Sequence, residues 1–292
     1  MGGSHKKDAN LTQIADLVHP SALFISTISR LAPKAASDSI AATYRWFARL
    51  RTRFRPGPGV RAAHWGFYWY DMHDDDKLVV KNLLSAADVG IVDVSLKPLP
   101  EEIMDSIQSD DMDAAQIRRI ERNRAREQKL QFAHRSASGS VMMDIDDEST
   151  GTQQLLDLAV DVAFTLRYGT VMTVDEIDAS LHPMLTARLI WLFQHAATNP
   201  RFGQLIFTSH DATLLGNFEG EEVLHRDQIW FAEKADDGSS VLYPLVEFKP
   251  RKDENRQRRY LNGSYGGVPE LSEDVFEQAL ILRGDIDGEG QE

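Results

Sequence analysis

The sequence predicts an α/β protein: a mostly parallel, incomplete sheet layered with helices, preceded by a helical lobe and followed by a β-hairpin. Three observations predict it. Leu155, Leu158, Ala159, Val162, Ala163 and Leu166 fall on one face of a helix. Two short apolar runs come next, "TVMTVD" at 170–175 and "QLIFTS" at 204–209, and between them Leu185, Leu189, Leu192, Phe193 and Ala196 again keep helical spacing. Further on, "DQIWFAEK" and "SVLYPLVEF" flank the turn sequence "ADDGS", the pattern of a hairpin. Helix, strand, helix, strand at this spacing is the rhythm of a parallel sheet covered by helices.

The expected organisation is a helical lobe or insertion over 1–127, with a charged helical segment, and the core over 128–292. Pro33 suits the first turn of a helix. Ile40, Tyr44 and Phe47 then recur at helical spacing until "RFRPGPG" at 53–59, a breaker. The arginines 45, 49, 51, 53, 55 and 61 could track a phosphate backbone, but a basic helix face is the better reading. "HWGFYWYDMHDDD" at 64–76 reads as an aromatic-anchored loop with a solvated acidic tip rather than a metal site. "KLVVKNLLSAADVG" reads as a helix closed by Gly90, and "IVDVSLKPLP" as a short strand. Residues 101–127 are highly charged and read either as a projecting helix or as a mobile insertion. "KLQFAHRS" and "GSVMMDI" alternate on either side of Ala137-Ser138, a second hairpin.

Bulk properties exclude several classes. With 32 basic and 45 acidic side chains the net charge is −13, which argues against wholesale coating of nucleic acid but not against a local basic groove. There are no cysteines, hence no disulfide framework and no thiolate metal site. No run approaches a membrane span, and "MGGSHKKDANLTQ" lacks the apolar stretch of a secretory signal, so a cytoplasmic protein is expected.

The chemistry concentrates at strand ends. Ligands of open α/β sheets bind beyond the carboxyl ends of the strands. Asp175-Glu176 ends one candidate strand and Ser209-His210 ends the next, so neighbouring parallel strands would set these acids and this imidazole beside one ligand. A hard cation such as Mg²⁺ takes one or two carboxylates with phosphate oxygens and water. Water attacking a phosphoryl group needs a further carboxylate to orient it or accept its proton. Each segment alone has a plainer reading: an acidic turn, a partly buried histidine, and at Ser149–Gly151 a helix N-cap with a glycine. His182-Pro183 reads as the start of the next helix.

Taken together and in order, "DDESTGTQQLLDLA", "VMTVDEIDASLHP" and "LIFTSHDATLL" resemble the signature segment, the Walker B strand with its D-loop, and the switch-histidine segment of ABC-type ATPases. The closer similarity is to AAA-type, ABC-like ATPases of the overcoming-lysogenization-defect and SMC-like group, close over about 128–269 and looser over 20–100. The resemblance implies a P-loop NTPase core, ATP and Mg²⁺ as ligands, and ATP held between two subunits of a homodimer or higher oligomer. It implies that Asp175 holds Mg²⁺ through water, that Glu176 polarises the attacking water, and that His210 contacts the γ-phosphate. Ser149 and Gly151 would serve the γ-phosphate of a second protomer, and Asp178 with Ala179-Ser180 would form the D-loop. It also implies a nucleotide-operated switch, in anti-phage defence or a DNA transaction, paired with a nuclease-like or toxin-like protein.

One feature of that family is missing: the sequence contains no G-x-x-x-x-G-K-[ST]. The chain is therefore expected to represent the later part of the fold and to bind ATP weakly alone. A non-catalytic interaction module derived from such an ATPase is the alternative. A metal-dependent nuclease using Asp175, Glu176 and Asp178 ranks below both, because one cluster does not supply the clamp of a two-metal site.

Overall fold

The computed structural model describes residues 18, 22–31, 37–53, 65–87, 90–98, 113–125, 128–235, 237–251 and 254–268. Pro33, residues 54–59 of the expected breaker, Arg55 and Arg61 of the basic series, and residues 101–112 and 126–127 of the charged segment lie outside them. Two compact units are formed, Met1–His210 and Asp211–Glu292.

In chain order the first unit carries α1 (Phe24–Leu31), α2 (Asp38–Ala48), β1 (Arg51–Arg53), α3 (Trp65–Asp71), α4 (Asp74–Ala86), β2 (Ile91–Leu96) and α5 (Ala114–Ala125). Next come β3 (Leu130–Ser136), β4 (Gly139–Asp144), α6 (Thr150–Tyr168), β5 (Val171–Val174), α7 (Pro183–Gln194) and β6 (Gln204–Phe207). β1, β5 and β6 form a parallel sheet in the order β1-β5-β6, with Arg51 opposite Met172 and Val174 opposite Phe207. β2, β3 and β4 form a separate antiparallel sheet in sequence order. β1 and β2, from the first half of the chain, thus pair with strands of the second half or its border. The mixed α/β fold with a parallel sheet is the one the sequence predicts.

α6 is the spine. Ser149 caps its start by accepting the Thr152 N–H, and Gly169 closes it at φ 61, a left-handed conformation that suits a residue without a Cβ. One stretch of its buried surface, Leu155, Leu156, Ala159 and Ala163, joins Val80 and Leu84 of α4 and Val94, Leu130 and Phe132 of the antiparallel sheet. A second stretch, Leu158 and Val162, packs with Met172 and Val174 of β5 and Leu189 of α7. A helix buried along two directions reads as broadly apolar, which is why its pattern is strong. Strand alternation sends Thr173 and Ile206 to the opposite face of the parallel sheet, where Ile206 is 60% exposed. Among the described residues β6 pairs only with β5.

Two expectations need correcting. The segment expected as an aromatic-anchored loop is largely the helix α3, with Trp65 and Trp69, one turn apart, buried on one side. It approaches α5 closely because Gly66 is tight: a Cβ there would lie 2.1 Å from the Gln128 carbonyl oxygen and 2.2 Å from that of Ala125. The acidic tip is not wholly solvated either. Asp74–Asp76 form the first turn of α4, and Asp76 is buried, accepting from Arg167 Nη1 at 3.0 Å. The basic series is likewise not one helix face. Arg51 and Arg53 lie on β1, and the Arg51 guanidinium sits 3.6 Å from the centre of the Phe164 ring, a cation–π contact.

In the second unit a short pair, β7 (Asn217–Phe218) and β8 (Glu221–Glu222), precedes the hairpin β9 (Trp230–Lys234) and β10 (Ser240–Pro244), then α8 (Arg256–Leu261). Its core is aromatic: Phe231 lies 5.4 Å from Tyr260 and 5.7 Å from Tyr265, ring centre to ring centre, in stacked pairs. The Tyr265 hydroxyl donates to Glu254, and burial first, then that carboxylate, pushes its pKa up to about 12.

Candidate functional site

The parallel ladder pairs Val174 with Phe207, so both strands end at the same level and the residues beyond them converge at one place. Beyond β5 come Asp175 and Glu176, and beyond β6 come Thr208, Ser209 and His210. Thr208 ties the ends together. Its backbone N–H donates to the Val174 carbonyl at 3.0 Å, and its carbonyl accepts the Ile177 N–H at 3.0 Å. Its hydroxyl accepts the Glu176 N–H at 2.8 Å and donates to Asp175 Oδ1 at 2.6 Å.

Glu176 has φ 51, uncommon for a residue with a Cβ and the kind of local strain found at functional sites. That backbone turn aims its carboxylate toward the β6 side, where Oε1 lies 3.7 Å from His210 Nε2. His210 is largely exposed, at 85% of its side chain, whereas Glu176 keeps 28%. The two residues expected to share a ligand are brought together. Asp175 is exposed beside them.

The chain then turns through Asp178–Leu181. Asp178 Oδ1 is buried without a hydrogen bond among the described residues, and Ser180 has φ 60. His182 caps α7, its Nδ1 accepting the Met184 N–H at 3.3 Å, with Pro183 in the first turn, as its sequence position suggests.

Ser149 caps the start of α6, and Gly151 in its first turn lies against this turn. A Cβ at Gly151 would come 2.8 Å from the Ser180 carbonyl oxygen, so glycine permits this approach. Ser149 Oγ accepts the Thr152 N–H at 3.1 Å and is 2.9 Å from Thr152 Oγ1. Its hydroxyl hydrogen remains available to a ligand only when Thr152 is the donor of that second bond. Behind Ser149 stands a pair that sequence reasoning missed. Glu148, with a side chain 4% exposed, meets His134 Nε2 at 2.5 Å. Gln153 Nε2 reaches back to the carbonyls of Ile145 and Glu148 at 3.0 and 3.1 Å. These contacts tie the entry of α6 to β3. Their sequence signal, a histidine in an alternating strand and a glutamate before a helix cap, is too common to stand out.

The site can therefore offer an exposed carboxylate, a second carboxylate on a strained backbone, and an imidazole from a neighbouring strand. Among the described residues no three His, Cys, Asp or Glu side chains form a cage for a metal. A cation here would be held by a single carboxylate with water and ligand oxygens, the way Mg²⁺ accompanies phosphates. No helix among the described residues is long and apolar enough to cross a membrane.

No curated protein matches the sequence significantly. Residues 7–216 match the family described as "AAA domain, putative AbiEii toxin, Type IV TA system", well over half of the chain and including both strand ends of the site. With a parallel sheet carrying acids and a histidine at its strand tips, the chain belongs to this AAA-domain family of the P-loop NTPase superfamily.

Proposed function

We propose that the chain is an ATP-binding and ATP-hydrolysing subunit that acts as a nucleotide-dependent switch in bacterial anti-phage defence or a DNA transaction. The observation that supports this most is the meeting of Asp175, Glu176 and His210 at neighbouring strand ends. Mg²⁺, when bound with ATP, neutralises charge on the phosphate oxygens. Asp175 holds that ion through water with its exposed carboxylate. Glu176 orients the attacking water and takes its proton as the bond to the γ-phosphorus forms and the bridging oxygen departs with ADP. His210 donates to the γ-phosphate. Ser149 and Gly151, at the positive end of α6, donate to the γ-phosphate held by a second copy of the chain, and Asp178 lies in the turn that reaches across. The assembly is a homodimer or higher oligomer in the cytoplasm. The family's link to a Type IV toxin–antitoxin system makes a toxin-like or nuclease-like protein the proposed partner.

The absent G-x-x-x-x-G-K-[ST] bounds the activity. Each charge-assisted hydrogen bond of such a loop is worth about 1.5–3 kcal/mol. The isolated chain should accordingly bind Mg-ATP more weakly than micromolar, and isothermal titration checks this directly. The same absence favours a second reading, an interaction module without turnover. Glu176→Gln separates the two. In the enzyme reading hydrolysis falls about 100-fold or more while nucleotide binding holds. Partner binding and cell phenotype that ignore the substitution, with no hydrolysis in the wild type, establish the module instead.

A further inference from the structure

We propose that Thr208 is the positioning residue of this site, its hydroxyl setting both the carboxylate of Asp175 and the backbone of Glu176. The inference deepens the ATPase reading and rests on it for its consequence, though its geometry stands independently. A hydroxyl has one hydrogen and two lone pairs. Thr208 spends the hydrogen on Asp175 Oδ1 and one lone pair on the Glu176 N–H, so a single oxygen bridges consecutive residues of the other strand end.

The consequence for Asp175 is orientation. With Oδ1 engaged by Thr208, Oδ2 of this exposed carboxylate is the oxygen left to hold the water shell of a cation. The consequence for Glu176 is conformation. At φ 51 its left-handed backbone is disfavoured for a residue with a Cβ, and the bond to Thr208 offsets that cost. From this backbone turn the carboxylate of Glu176 reaches to within 3.7 Å of His210 Nε2. Neither bond depends on the rest of the residue, because the Thr208 backbone is separately held by Val174 and Ile177. The hydroxyl can be deleted without unpairing the strands.

Thr208→Val and Thr208→Ser, made in the full chain, test this. Thr208 is exposed and valine keeps its branched shape, so both variants retain the fold, checked by circular dichroism. Hydrogen exchange at the Glu176 amide is the first readout. In Thr208→Val it accelerates about tenfold, and in Thr208→Ser it returns to within about twofold of wild type. The Glu176 Cα chemical shift moves away from its left-handed value in the valine variant and is restored by serine. The second readout is Mn²⁺ affinity in the presence of ATP, by water-proton relaxation, weakened about tenfold by valine and rescued by serine. Exchange within about twofold of wild type in Thr208→Val overturns the proposal. A wild-type chain that binds no Mn²⁺–ATP overturns the ATPase reading instead, while exchange at Glu176 still decides the role of Thr208.

Discussion

Replacing Gly169 by alanine tests how β5, and with it the acidic tip, is delivered from the end of α6. Gly169 has φ 61 and ψ 45, and a Cβ built there lies 2.3 Å from the Arg201 carbonyl oxygen and 3.1 Å from its Cβ. Arg201 cannot easily retreat, since its Nη1 donates to the Arg167 carbonyl at 2.7 Å, in the last turn of the same helix. The left-handed backbone costs an alanine about 1–2 kcal/mol. Overpacking against a backbone atom adds about 1–3 kcal/mol. The stiffer unfolded chain offsets about 0.4–1 kcal/mol. The expected net loss is about 3 kcal/mol, a fall in melting temperature of roughly 6–12 °C. Urea unfolding followed by circular dichroism measures it. Gly169→Asn divides the sources, because asparagine tolerates the left-handed region but carries the same Cβ, and it should still lose about 2 kcal/mol. An asparagine variant within about 0.5 kcal/mol of wild type would refute the steric account of Arg201.

Gly151→Ala should drive the start of α6 and the Asp178–Leu181 turn apart, since its methyl meets the Ser180 carbonyl oxygen at 2.8 Å. Amide chemical-shift changes at Ala179–Leu181 check it, and changes confined to α6 would contradict it. Phe132→Ala, at a fully buried position, should cost about 3–5 kcal/mol in chemical unfolding. Ile206→Ala, at 60% exposure, should stay within about 0.5 kcal/mol. In the second unit Tyr243 and Tyr265 are both pushed up to about 12, chiefly by burial and then by Glu233 and Glu254 respectively. A raised folded-state pKa contributes stability that is complete below the ordinary value of 10.0 and is lost as pH rises toward about 12. Thermal melts should therefore hold steady up to that ordinary value and fall above it. Tyr265→Phe should flatten the alkaline fall, and an unchanged slope would count against the burial account.

Much of the fold can be read locally. α6, α7, β5, β6 and both hairpins announce themselves because burial repeats with the period of the backbone, and Pro183 marks a helix start by its own conformational limits, whereas the helix expected to close at Gly90 ends at Ala86. α3 escapes a local reading because a close backbone approach at Gly66 and a pair of tryptophans, rather than a long apolar stripe, bury it. Arg51–Arg53 carry no strand signal: three residues, two of them arginine, become a strand only because β5 offers them a ladder.

The residue types at the site are likewise visible in chain order, since carboxylates and a histidine directly after apolar runs imply strand ends. Their mutual placement is not. Parallel pairing sets residues 174 and 207 level across a long sequence separation, and the bridging hydroxyl of Thr208 and the approach of Glu176 to His210 both depend on that register. Sequence by itself determined which strongly periodic segments would be helix or strand and which residues could do chemistry, because those depend on near neighbours along the backbone. Only the tertiary structure decided which of them meet, because hydrogen-bond registry between distant strands is a property of the assembled sheet.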